Sequence, residues 1–73
     1  MLVQGLDEWR KLEGKIVEFD FNFGWGDVGQ VGLKIEQVRA SRNEFGTPMV
    51  RVLGDNGGYS FYESDTTEVT LID

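Results

Sequence analysis

The chain has no cysteine and no histidine, a single proline, and only seven basic residues against thirteen acidic ones. Each shortage excludes something. Without cysteine there is no disulfide staple, and without either residue there is no Cys/His zinc site. The commonest general base and the commonest thiol nucleophile are missing too, so no enzyme is expected and no cofactor. The net charge of −6 disfavours direct binding to DNA or RNA, because phosphate contacts supply most of that affinity. Beyond Arg10-Lys11 there is no basic cluster. No run of 18 apolar residues is present, so no membrane span is expected, and Met1-Leu-Val-Gln-Gly does not read as a secretory leader. The lack of cysteine agrees with a cytoplasmic location.

What remains is short and aromatic. At 73 residues the chain is one small domain, residues 1–73. A domain of that length buries only about 60% of its unfolded surface. Its support must come from a dense core, a partner or self-association. Five Phe, two Trp and two Tyr make the core feasible, since each such ring can bury about 150–250 Å².

The pattern is mostly β. Leu6 to Glu13 predicts a short helix, with Leu2, Leu6 and Trp9 at helical spacing and Gly14 as its left-handed stop. Two turns do not persist alone, so Trp9 is expected to anchor them. Lys15 to Phe23 alternates cleanly, with Val17, Phe19, Phe21 and Phe23 on one face and Glu18, Asp20 and Asn22 on the other. Gln30 to Ala40 alternates again until Val38 breaks the parity, which predicts a bulge near Gln37. Ser41 to Thr47 reads as a loop, and Pro48 to Leu53 as a strand. Gly54 to Gly58 reads as a hairpin turn with Asn56-Gly57 as a type I′ pair. Tyr59 to Tyr62 is a strand, Ser64 to Thr67 a polar turn, and Glu68 to Ile72 the last strand. Five short strands with glycine corners fit a small SH3-like barrel with a short N-terminal helix; an open sheet covered by that helix is the competing architecture. The expected core is Val17, Phe19, Phe21, Leu33, Ile35, Val50, Val52, Val69 and Leu71.

The segment Phe21 to Gly32 holds four glycines in nine positions. Gly24-Trp-Gly26-Asp-Val-Gly29 matches the dinucleotide fingerprint and follows a strand, but another strand follows it instead of a helix, and no Walker lysine is present. Turn and bulge chemistry accounts for these glycines better. The stretch Gly26-Asp-Val-Gly29-Gln-Val31, followed by Ile35, resembles the KOW motif of small barrels in ribosomal proteins and transcription elongation factors, over some ten residues and with its last aliphatic residue one place late. The resemblance implies a barrel. Those families often bind RNA through basic loops, which this chain lacks.

Chemistry-bearing pairs are few. Glu18 and Asp20 stand about 7 Å apart on an extended strand, a spacing that suits a glycosidase pair, yet so small a chain cannot wall off the required cleft. Asp55-Asn-Gly-Gly and Glu63-Ser-Asp65 lack the order of a calcium loop and suit turns. Two functions from different classes follow. One is a non-catalytic acidic interaction module, an accessory factor or regulator that docks on a larger protein with a basic surface. Its contacts would be Trp25, Asp27, Glu18, Asp20, Phe45, Tyr59 and Tyr62. The other is an inhibitor that mimics nucleic acid, as some small virus-encoded proteins do, its carboxylates occupying a basic groove. A homodimer is a third reading. Trp25 has two readings of its own, a cap on the core or an exposed anchor.

Overall fold

A computed structural model describes residues 1–72. Six strands and one helix follow in the order β1 (Leu2–Gln4), α1 (Gly5–Arg10), β2 (Ile16–Gly24), β3 (Asp27–Arg42), β4 (Pro48–Gly54), β5 (Gly57–Tyr62) and β6 (Thr66–Ile72). All pairings are antiparallel, and the sheet order is β1-β6-β2-β3-β4-β5. The chain is therefore mostly β, as its alternation predicts. The sheet is not closed into a barrel: among the described residues its end strands β1 and β5 do not pair. There are six strands, not five, because Leu2–Gln4 pairs with Thr66–Glu68.

The 16-residue β3 holds the two halves together. It pairs with β2 up to Lys34 and with β4 from Ile35 onward. The handover carries a register shift between Ile35 and Gln37. Glu36 is the extra residue, so Ile35 and Val38 both point into the core. This is the bulge that the parity break at Val38 predicts. Three residues from the helix exit brace it. Glu13 Oε2 accepts the Val38 N–H at 2.7 Å. The Gly14 N–H donates to the Ile35 carbonyl at 2.7 Å, and the Ile35 N–H donates to the Lys15 carbonyl at 2.9 Å. Gly14 has φ +86° and is thus the left-handed first residue of a second bulge. The helix stops earlier than expected, at Arg10 rather than Glu13, with Lys11 as its C-cap. Gly14 serves the sheet, not the helix end.

The two hairpin turns differ from each other in backbone form. Between β4 and β5 the two loop residues are Asp55 and Asn56, and neither has positive φ. The type I′ pair at Asn56-Gly57 is not formed. The side chains are used otherwise: Asp55 Oδ1 accepts the Lys34 N–H at 3.2 Å, and Asn56 Nδ2 donates to the Gly32 carbonyl at 2.7 Å. They cap the edge of β3 where β2 covers only its other side. The turn with two positive φ angles lies between β2 and β3, at Trp25 (+55°) and Gly26 (+79°).

The core contains Val17, Phe19, Leu33, Ile35, Val50, Val52 and Val69 together with Val3, Trp9, Leu12, Val31, Val38 and Phe61. Trp9 is fully buried. Its ring stacks on Phe61 at 4.7 Å and meets Phe19 edge-on at 5.8 Å. Phe21 is half-buried against this cluster. Two expected inward residues are exposed. Leu71 keeps 41% of its surface. Phe23 keeps 57% because the register shift between Asn22 and Gly24 makes it the unpaired residue of a bulge. Leu2, counted on the helical stripe, lies in β1 and is exposed; Val3 takes the inward position. Ser41 and Arg42 extend β3 instead of opening the loop. Thr66 and Thr67 likewise belong to β6.

Candidate functional site

The β2–β3 hairpin carries the most unusual residue of the chain. Trp25 is the sole non-glycine residue with positive φ among the described residues, and its side chain is fully solvent-exposed, at 103% of the reference surface. Left-handed backbone is disfavoured for bulky side chains by roughly 1–2 kcal/mol. A type I′ corner takes Asn, Asp or Gly at that position far more readily. Folding alone therefore gives no reason for tryptophan here.

The surroundings of Trp25 follow from the bulge. With Phe23 unpaired, Gly24 and Asp27 close the two-residue loop, and Asn22 Oδ1 accepts the Gly24 N–H at 2.9 Å to hold the corner. Phe23 lays its ring over Gly29, where a Cβ would meet Cε2 at 2.9 Å, and packs edge-on against Phe21 at 5.2 Å. A ring across a strand glycine restores packing the glycine cannot supply. Phe21 in turn meets Tyr59 at 5.2 Å and Phe61 at 5.4 Å. A continuous aromatic track therefore leads from buried Trp9 through Phe61 and Phe21 to exposed Phe23, beside the tip. Val28 adds a further exposed apolar residue.

The residues expected to contact a partner separate into two groups. Trp25, Asp27 and Asp20 lie on the hairpin and are exposed, and Glu18 lies further back on β2, partly covered. Tyr62 is exposed at the end of β5, and Tyr59 is half-buried between Phe19 and Phe21. Asp20 and Tyr62 line one groove, of about 460 Å³, with Phe21, Phe61, Asp65 and Thr67. Phe45 is not part of this constellation. It projects, highly exposed, from the β3–β4 loop at the opposite end of β3. That loop is braced by Asn43 Oδ1, which accepts the Phe45 and Thr47 N–H groups, each at 2.9 Å. Sequence reasoning missed Val28 and Asp65 as members of the surface, and set Phe23 on the inward face of its strand. A readable signal existed for Val28, an apolar residue two places after the glycine corner and opposite a polar asparagine.

Among the described residues no three His, Cys, Asp or Glu side chains gather as a metal cluster. No helix among them is long and apolar enough to cross a membrane.

The fold and surface define a small all-β domain, an open antiparallel sheet with an aromatic hairpin at one end. Comparison of the chain with protein families, with curated proteins and with solved structures found no match.

Proposed function

We propose that this chain is a non-catalytic, acidic protein-interaction module that acts as an accessory factor or regulator of a larger protein with a basic surface. The observation that carries the reading is Trp25, a fully exposed indole at positive φ on a hairpin tip. Tryptophan is the residue type most enriched at binding hot spots. An exposed and conformationally disfavoured one makes sense where a partner covers it. Phe23 and Val28 extend the apolar surface, and Asp20 and Asp27 supply acids that steer a basic partner.

The architecture we assign is SH3-like. Strands β2 to β5 form a meander and β6 returns to pair with β2, while β3 bends through both halves. That arrangement supports a partly open barrel rather than a flat sheet.

The test is capture of the natural partner from its own lysate, repeated with Trp25→Ala. The variant should fold as the parent does and bind about 30-fold more weakly, the equivalent of roughly 2 kcal/mol. Equal binding by the folded variant would remove the hairpin from the interface. Binding that collapses with rising salt, while Trp25→Ala has no effect, would favour nucleic-acid mimicry instead.

A further inference from the structure

Strand β5 ends the sheet. It pairs with β4 on one side and, among the described residues, with no strand on the other. The Glu63 N–H donates to the Pro48 carbonyl, which fixes the alternation of the ladder. Phe61 and Tyr59 exchange their bonds with β4, so Gly58, Ser60 and Tyr62 turn their backbone groups outward. The Tyr62 carbonyl is taken by the Asp65 N–H at 3.0 Å. The N–H and C=O of Gly58 and Ser60 and the N–H of Tyr62 are left facing outward. Natural sheets guard such edges with lysine, proline or inward charges. The six residues of β5, Gly-Gly-Tyr-Ser-Phe-Tyr, contain none of these.

The C-terminal half of this edge borders the groove of about 460 Å³, whose opposite wall is the hairpin half of β2. Pairing of β2 with β6 stops at Phe19↔Val69, so the two strands diverge there and leave room. Phe21 and Phe61 give the groove apolar surface, Asp20 and Asp65 give it carboxylates, and no lysine or arginine lines it. Arg51 of β4 is engaged nearby, donating to Ser60 Oγ at 3.0 Å.

We propose that this edge takes an extended peptide segment bearing lysine or arginine, added as a further strand on β5. Backbone bonds to Gly58 and Ser60 would hold it, with apolar side chains against Phe21 and Phe61 and basic ones beside Asp20 and Asp65. The proposal rests on the interaction-module reading and names the part of the partner that is bound. A second copy fits less well. Each copy carries −6, and antiparallel β5–β5 pairing would set Asp55 of one chain near Glu63 and Asp65 of the other.

The test pans a display library of random twelve-residue peptides against the full chain at low salt. The expected winners alternate apolar and basic residues. Binding of the best one should slow hydrogen exchange of the Gly58 and Ser60 amides at least tenfold. Ser60→Pro deletes one outward N–H without touching the β4 ladder and should weaken binding at least tenfold; Ser60→Ala, which keeps that N–H, should bind as the parent does. No enrichment, winners without basic residues, or winners that leave the two amides unprotected would overturn the proposal. So would a folded Ser60→Pro that binds normally. If Ser60→Pro does not fold, the exchange result on the parent chain decides. Protection of the same amides that rises with protein concentration, with no peptide present, would make a second copy the occupant and overturn the basic peptide. Failure here beside a positive Trp25→Ala result would leave the module reading intact and remove only the edge.

Discussion

Trp9 and Phe61 stack with ring centroids 4.7 Å apart and planes 25° from parallel, and this contact fastens the six-residue helix to β5. Helix α1 has no side-chain bond from its N-cap residue and is far too short to persist in isolation. Its stability is the burial of one indole. Trp9→Ala should therefore cost about 3–5 kcal/mol, which is comparable to the whole stability of a small domain. The measurement is urea unfolding of the variant. Trp9→Phe should cost much less, since it also removes an indole N–H that has no hydrogen-bond partner in its buried site.

The two tryptophans should separate in fluorescence. Trp9 is sealed and Trp25 fully exposed. Acrylamide should quench the parent in two classes, one open and one protected. Trp25→Phe should leave only the protected class, with emission shifted to shorter wavelength. A single accessible class in that variant would show Trp9 to be open.

Gly54 sits where no side chain fits. A Cβ there would collide with the Leu33 side chain and stand 2.5 Å from the Lys34 carbonyl oxygen, which is backbone and cannot turn aside. Gly54→Ala should destabilise by about 1–3 kcal/mol. At Gly58 an added Cβ would meet the ends of Arg51 and Leu53, which can rotate away. Gly58→Ala should therefore be the milder of the two in parallel unfolding curves.

Val69 and Leu71 of β6 should differ. Val69 is fully buried, whereas Leu71 keeps 41% of its surface. Val69→Ala should cost about 2 kcal/mol and Leu71→Ala under about 1 kcal/mol, although the larger side chain is lost in the second case. Thermal melts of both variants check the order, and a reversal would put the inward face of β6 on the wrong residues.

How much of this was legible in the sequence depended on the range of the interactions involved. Alternation at Val17, Phe19 and Phe21 is local, and so is the parity break at Val38; both the strand and the bulge could be read from neighbours alone. Trp9 was legible as an anchor because a two-turn helix needs one. Strand β1 was not. Three residues carry too little periodicity, and Leu2–Gln4 becomes a strand only by pairing with Thr66–Glu68 at the other end of the chain. The turn at Asp55-Asn56 was misread for a similar reason. Its side chains bond to Lys34 and Gly32, more than twenty residues away, and those bonds select a geometry that the local Asn-Gly signal does not favour. The exposure of Phe23 hangs on a one-residue register shift that alternation cannot reveal. Trp25 could be read either as core or as surface, because glycines on both sides permit either direction.

The proposal that exposed Trp25 serves binding and not folding can be tested at that one position. The most direct measurement replaces it with asparagine, which tolerates left-handed backbone and suits a type I′ corner, and follows melting temperature and partner affinity together. The melting temperature should equal or exceed the parent's, with partner binding weakened about 30-fold. A variant that melts well below the parent yet binds its partner equally would contradict the proposal, and would make Trp25 a structural residue.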